Sequence, residues 1–465
     1  MKQANTKALI ALLFVGVLMG ALDLAIIGPA LPAIKAEFGM NSRQLAVLFN
    51  AYVLCQLLGT PLLAKMSDRF GPRSIYIFSL SCFALGSLLL VVAPGAGWLF
   101  AGRAIQGFGA GGIFPVASAV IGAQLPPEKR GPALGLIGVV WGVAFLIGPI
   151  LGGILLQFSW HWLFIINLPV AAILIGGAFK LLAGPAPRKS DRKPFDARGA
   201  IALSIGLTTL VVALNNFDPA AILDSLLSPT CGPLLIVFGV AAWLFWRIEK
   251  RAADPIVRPA FFDSRQIRVT CLVALGVGAM QSVTVFYPTL AVSALGIAAS
   301  DAAWLMLPSV IASTLASPLA GKLVNYIGTR RIIMSSLTFA VTSLLIYALT
   351  QLTVPIYIVA GIIGGIGSAG LLGAPLRLIL LNESRPQDRG AMQGMLNMCY
   401  SIGRLVGAAV VGTVAASQGG GTVGYQSALL VMATLAATLL IIASNLKSKA
   451  DEQVDAAKVA EAASA

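Results

Sequence analysis

Stretches of about twenty apolar residues recur along this chain from residue 8 to residue 445. At about 1.5 Å of helix rise per residue, each is long enough to cross a hydrocarbon layer about 30 Å thick. Lipid offers backbone N–H and C=O groups no partner, so such runs must satisfy themselves as helices. They also lack the in/out alternation over about ten residues that a membrane barrel requires. We count fourteen runs, the first at 8–30, the fifth at 132–156, and the seventh and eighth at 199–217 and 228–247. With 58% of residues hydrophobic and 11% charged, no soluble core could hide them. The expected fold class is an all-α integral membrane protein.

A net charge of +14 would suit a nucleic-acid binder, but its placement excludes that reading. Lys and Arg gather in alternate connections, at Lys65, Arg69 and Arg73, at Lys129 and Arg130, from Arg188 to Arg198, from Arg247 to Arg268, and at Lys322, Arg330 and Arg331. The connections between hold only Lys35 and Arg43, which is the pattern of a multi-pass protein of the cytoplasmic membrane with both termini inside. The first run carries Asp23 and no cleavage site, so it reads as a retained span. Cys55, Cys82, Cys231, Cys271 and Cys399 show no paired spacing, and neither disulfides nor a metal site is expected.

The chain repeats itself. PLLAKMSDRFGPR, from Pro61 to Arg73, matches PLAGKLVNYIGTR, from Pro318 to Arg330, at an offset of 257 residues (318 less 61). PEKRGPALG, from Pro127, matches PQDRGAMQG, from Pro386, at an offset of 259 (386 less 127). We read six spans in 1–183, linkers and a two-helix insert in 184–268, six spans in 269–446 and a cytoplasmic tail in 447–465. Two related bundles with a site between them form a recurring carrier plan.

Charge at membrane depth costs several kcal/mol unless it meets water or a partner. Asp23 is the one carboxylate well inside a span and Arg103 the cation of the fourth span, so the two are candidates for proton coupling, for a structural ion pair, or for both. Arg404, in the thirteenth span, either gives a central cavity positive character or meets a helix carbonyl; the first reading favours anionic, zwitterionic or neutral amphipathic cargo. Asn50, Tyr52, Gln56, Gln106, Trp141, Gln281, Tyr287, Asn397 and Tyr400 are the polar and aromatic residues expected to line that cavity. Asp68, Arg69, Gly71 and Arg73, with Arg130, form a candidate cytoplasmic gate in which a carboxylate pairs with an arginine or a helix end in one state. Gly148, Pro149, Gly152 and Gly153 make the fifth span smooth and kinkable. The GxGxxG strings at Gly107 and Gly365 follow no strand and indicate close helix packing instead of a dinucleotide.

In combination these segments resemble the major facilitator superfamily, and within it the fourteen-span drug:proton antiporter branch. LDLAIIGPALP (from Leu22), AKMSDRFGPR (from Ala64), LFAGRAIQGFGAG (from Leu99), GLIGVVWGVAFLIGPILGG (from Gly135) and SWHWLFIINLP (from Ser159) carry the resemblance, with Gly28, Ala64, Pro72, Ala144 and His161 as departures from its usual residues. It implies two six-helix bundles and multidrug efflux driven by inward proton flow, with Arg103 linked to coupling and no cofactor. The later helices lack the additional acids frequent in polyspecific cation exporters of the branch, which keeps lipid, peptide and metabolite cargo open. An enzyme is not expected, since one histidine and one deep carboxylate supply little chemistry. Nor is a primary pump, since no GxxxxGK loop is present. The expected partners are a small-molecule substrate, protons and the bilayer, and the expected state is a monomer.

Overall fold

The computed structural model describes residues 3–124, 140, 143–182, 196–219, 221–252, 255–384 and 388–451. Among these residues every regular element is a helix, and thirteen helices are long and apolar enough to cross a membrane. In chain order they are α1 (Gln3–Phe38), α2 (Ser42–Phe70), α3 (Pro72–Val91), α4 (Ala96–Gln124), α6 (Trp162–Leu181), α7 (Ala197–Asn216), α8 (Gly232–Glu249), α9 (Arg265–Val285), α10 (Ala299–Val324), α11 (Thr329–Leu349), α12 (Val354–Asn382), α13 (Arg389–Ser417) and α14 (Gly421–Ala443). A shorter apolar helix, α5 (Val143–Leu155), lies in the fifth expected run, most of whose first half is outside the described residues.

Local chemistry sets the helix ends. Asn41 and Gln44 open α2 with a reciprocal capping box, each side chain accepting from the other's backbone N–H at 2.9 Å. Gly71 closes α2 and starts α3 at φ +87°, and Gly328 does the same between α10 and α11 at φ +85°. These are the two glycines that the repeat aligned, and both sit in left-handed backbone that a side chain resists.

Packing repeats as well. In the first half α4 lies on α2 and α3, α3 on α6, and α6 on α1; in the second α12 lies on α10 and α11, α11 on α14, and α14 on α9. A Cβ on Gly109 would collide with the Ser79 carbonyl and the Phe83 N–H, and one on Gly367 with the Ser336 carbonyl and the Ala340 N–H. Gly107 presses on the backbone of Tyr52 as Gly365 presses on that of Ser309. Without a hydrophobic force between helices in lipid, such close approach is what holds them together.

The halves meet toward the face opposite the chain termini, here the far face. Ser42 Oγ donates to Tyr425 Oη at 3.2 Å, Gly412 sits against Ala46, and Asn50 Nδ2 donates to the Leu405 carbonyl at 3.1 Å. On the other flank Gly152 and Gly153 pack on Pro29, Ala303 and Trp304, and Gly28 on the backbone of Val285. Asn50 lies about 12 Å inside the far end of α2. Nearer the termini face Ala391, Gly394 and Asn397 of α13 are exposed, as are Leu315 of α10 and Tyr326 just past its end. Among the described residues the contacts between the halves gather on the far side, and the positions just named nearer the termini face are exposed.

α7 and α8 pair with each other, and α7 alone touches both halves, on α2 and on α13. Thr413 Oγ1 donates to the Leu214 carbonyl at 2.8 Å, and Arg43 Nη2 to the Phe217 carbonyl at 3.2 Å. The far end of α7 thus clips the sealed seam. Each bond contributes about 1 kcal/mol, so Arg43→Ala with Thr413→Val is predicted to raise far-side opening roughly tenfold or more. Maleimide labelling of Ser42→Cys measures this, and equal labelling rates with and without the pair of substitutions would show that α7 clips nothing.

Candidate functional site

Midway through the first half, α1, α2, α3, α4 and α6 enclose a polar cluster with no route to solvent. Asp23 and Arg103 are both 0% exposed, and Arg103 Nη1 donates to Asp23 Oδ2 at 2.5 Å. Gln106, one helical turn on, completes a ring: its carbonyl accepts from Arg103 Nη1 at 2.7 Å and its amide donates to Asp23 Oδ1 at 2.7 Å. The same amide donates to Ser87 Oγ at 2.9 Å, which also accepts from Asn167 Nδ2 at 3.3 Å. The guanidinium lies 4.1 Å from the centre of the Tyr52 ring, whose hydroxyl donates to the Gly20 carbonyl at 3.3 Å. Arg103 Nε and Nη2 find no acceptor among the described residues, so the aromatic face of Tyr52 supplies much of what hydrogen bonds do not.

An ion pair between Asp23 and Arg103 is one of the readings the sequence offers, and the fold joins the two. Tyr52 and Gln106, expected to line a cavity, are fully buried in this cluster against Arg103. Ser87 and Asn167 were missed; a serine and an asparagine inside apolar runs were the available signal.

The remaining expected cavity residues divide. Asn50 is buried in the seam beside the chain segment that carries Arg404. Tyr400 is buried and donates to the Leu371 carbonyl at 3.0 Å, and Tyr287 stacks on Tyr347 with ring centres 4.7 Å apart, so both serve the interior of the second half. Gln56 and Gln281 are half-buried, Asn397 is exposed, and Arg404 is half-buried with Nη2 donating to Ser401 Oγ at 3.3 Å. Trp141 and Arg130 lie outside the described residues, as does the side chain of Asp68. Of the other gate residues, Arg69 is exposed beside Phe70, Gly71 forms the tight turn, and Arg73 stacks over Phe179 at 5.1 Å. Gly148 packs on Ala25 and Gly152 on Pro29, next to Pro149 in α5, so the smooth face of α5 meets α1 within two turns beyond Asp23.

Two helical halves that meet on the far side, with a charge pair buried inside the first, suit a membrane carrier. The chain belongs to the Major Facilitator Superfamily, whose family model matches residues 13–261 and 269–462. It is 33% identical over 410 residues to the MFS-type transporter YfiU of Bacillus subtilis (strain 168), covering 86% of this chain and 78% of that one. It is 30% identical to Multidrug resistance protein 3 of the same organism, over 89% of this chain and 80% of the relative, and 27% identical to the riboflavin transporter RibZ of Clostridioides difficile (strain 630), over 84% of each. The fold matches the crystal structure of the nucleoside transporter NupG with a TM-score of 0.65 at 15% identity, over 96% of this chain and all of that one. The protein is thus a multi-pass membrane transporter.

A carboxyl can take up a proton where a guanidinium cannot lose one. Asp23→Asn leaves Arg103 charged and uncompensated, whereas Arg103→Leu lets Asp23 go neutral among its remaining hydrogen bonds. We predict a loss of about 3 kcal/mol for Asp23→Asn and a smaller one for Arg103→Leu. Combining Asp23→Leu with Arg103→Leu should recover most of it. Thermal melting in detergent reads the order, and the reverse order would contradict this account of the pair.

Proposed function

We propose that the chain is a proton-coupled exporter of the fourteen-span drug:proton antiporter branch, carrying small amphipathic compounds by alternating access. In this reading the termini face is cytoplasmic and the open cleft admits cargo from inside the cell. The observation that carries the proposal is the Asp23–Arg103 pair, a protonatable acid at membrane depth with its counter-charge, closed to solvent while the far seam is shut.

Coupling follows from what α1 touches. Asp23 holds α1 to α4 through Arg103 and Gln106, and within two turns Ala25, Gly28 and Pro29 of the same helix carry the packing of α5 and the second half. A proton on Asp23 removes the charge that Arg103 compensates and weakens that hold. A small shift of α1 then passes directly into the seam. When the far seam opens, protons from outside reach Asp23 as cargo departs; when it closes, the proton leaves inward. Arg69, Gly71 and Arg73, with Asp68 and Arg130, form the cytoplasmic gate of the same cycle, closing as the far side opens. Cargo is proposed only as a class, because one relative's name specifies multidrug resistance and another's riboflavin.

In liposomes enclosing a pH-sensitive dye, a cargo of this class should drive protons in the direction opposite to its own movement. Asp23→Asn is predicted to abolish that proton movement and gradient-driven accumulation while retaining cargo exchange without a gradient. Full proton-driven transport by Asp23→Asn would remove the pair from the mechanism, and cargo movement with no proton movement in the native chain would make it an uncoupled facilitator.

A further inference from the structure

Two arginines lie deep in this bundle, and their surroundings differ in a way that bears on cargo. Arg103 is sealed against a carboxylate, an amide and a ring. Among the described residues Arg404 has a single hydrogen bond, to the neutral Ser401, and its buried Nε has no acceptor. No ion pair to Arg404 is found among those residues. The described acids nearest to it along the chain, Glu383 and Asp388, hold Lys447 and Arg258 on the termini face. A guanidinium cannot relieve its burial by losing a proton, so its charge persists.

Placement gives that charge a use. Asn397, Ser401 and Arg404 stand at i, i+4 and i+7 on α13, one face of the helix, and the line continues through exposed Gly394 and Ala391 to the open side. Its inner end stops at the seam, where Asn50 donates to the carbonyl of Leu405, the next residue after Arg404. A solute entering from the termini face therefore meets amide, hydroxyl and then an uncompensated guanidinium at the blind end of the cleft. On the facing α2, Leu54 and Leu58, one and two turns from Asn50, are half-buried and offer apolar surface.

We propose that Arg404, with Ser401 and Asn397, is an anion subsite, and that the cargo is an amphipathic organic anion with one carboxylate-like head group and an apolar body. The head group accepts hydrogen bonds from the guanidinium, and the body lies on the leucines. Charge-assisted bonds to a planar guanidinium are among the stronger polar contacts, and an anion here supplies the acceptor that Nε lacks. The proposal rests on the transporter reading above but not on proton coupling.

The test is binding to the full-length protein in lipid nanodiscs, with a dansylated medium-chain carboxylate, its methyl ester and a trimethylammonium analogue as probes. The native chain should bind the carboxylate about tenfold or more tightly than the ester, and the cation most weakly. Arg404→Gln should weaken the carboxylate about ten- to a hundredfold and leave the ester unchanged, with Arg404→Lys intermediate. Asn397→Leu, an exposed position that burdens folding little, should weaken the carboxylate alone by a smaller factor. Equal binding of carboxylate and ester by the native chain would overturn the subsite, as would equal weakening of both by Arg404→Gln. Those outcomes leave transport intact in liposomes, whereas failure of any probe to move there would count against the transporter reading without touching the binding preference.

Discussion

Close approach of helix backbones is the constraint on which this molecule is built. Hydrocarbon surrounds apolar side chains as readily as a neighbouring helix does, so burial alone cannot select one packing. Contact distance can. α4 reaches α2 and α3 through Gly107, Gly109 and Gly112, and α12 reaches α10 and α11 through Gly365, Gly367 and Gly370, each pressing on the matching backbone or hydroxyl. A Cβ at Gly107, Gly109, Gly365 or Gly367 would meet backbone and force a helix outward, and one at Gly112 or Gly370 would displace the hydroxyl of Ser79 or Ser336. The two halves share this skeleton so closely that they can be compared side chain by side chain.

That comparison shows chemistry written over a common frame. Carried across at the offset of 258 residues that relates Gly107 to Gly365, Arg103 falls on Gly361 and Gln106 on Gly364. Where the first half closes its helices around an ion pair, the second brings Tyr347 beside Gly361 and lets Ser343 donate to the Ala360 carbonyl at 2.7 Å. One half therefore has a group able to exchange a proton at that level and the other has an aromatic, hydrogen-bonded filler. The second half instead carries its deep arginine, the half-buried Arg404, on α13. Its nearest polar connection to the first half is the Asn50 bond to Leu405, which places the two specialised sites on either side of a single seam.

Much of this was legible in the sequence because lipid makes deviations conspicuous. Runs of apolar residues located the spans, and Asp23 and Arg103 stood out because charge is rare there. The offset between the two signature loops aligned Gly71 with Gly328, whose backbones turn out to match. What could not be read was direction. A tyrosine or glutamine in an apolar run is polar on any face of its helix, and only the crossing of α1, α2 and α4 turns Tyr52 and Gln106 inward to Arg103 instead of toward the cleft. Ser87 and Asn167 escaped notice because small polar residues often bond to their own helix, as Ser87 also does to the Phe83 carbonyl at 3.0 Å. Trp160 is buried, with its indole donating to Glu37 at 2.6 Å, because the turn before α6 folds back under α1.

The two-helix insert shows why a helix outside the bundles can still matter to them. A helix ends with carbonyls that its own N–H groups cannot reach, and near the membrane such groups need donors from elsewhere. α7 ends at Asn216, and its last turn offers the Leu214 and Phe217 carbonyls to Thr413 of one half and Arg43 of the other. Those bonds are available only while the two donors stand together, which is the arrangement in which the far seam is closed. α8 has no such role: its outer face exposes Ile236, Val240 and Trp243 and it rests chiefly on α7. It fixes the orientation of its partner and presents apolar surface to lipid. The insert's contribution is thus concentrated in a few backbone atoms at one end of one helix, at the point where it touches both halves.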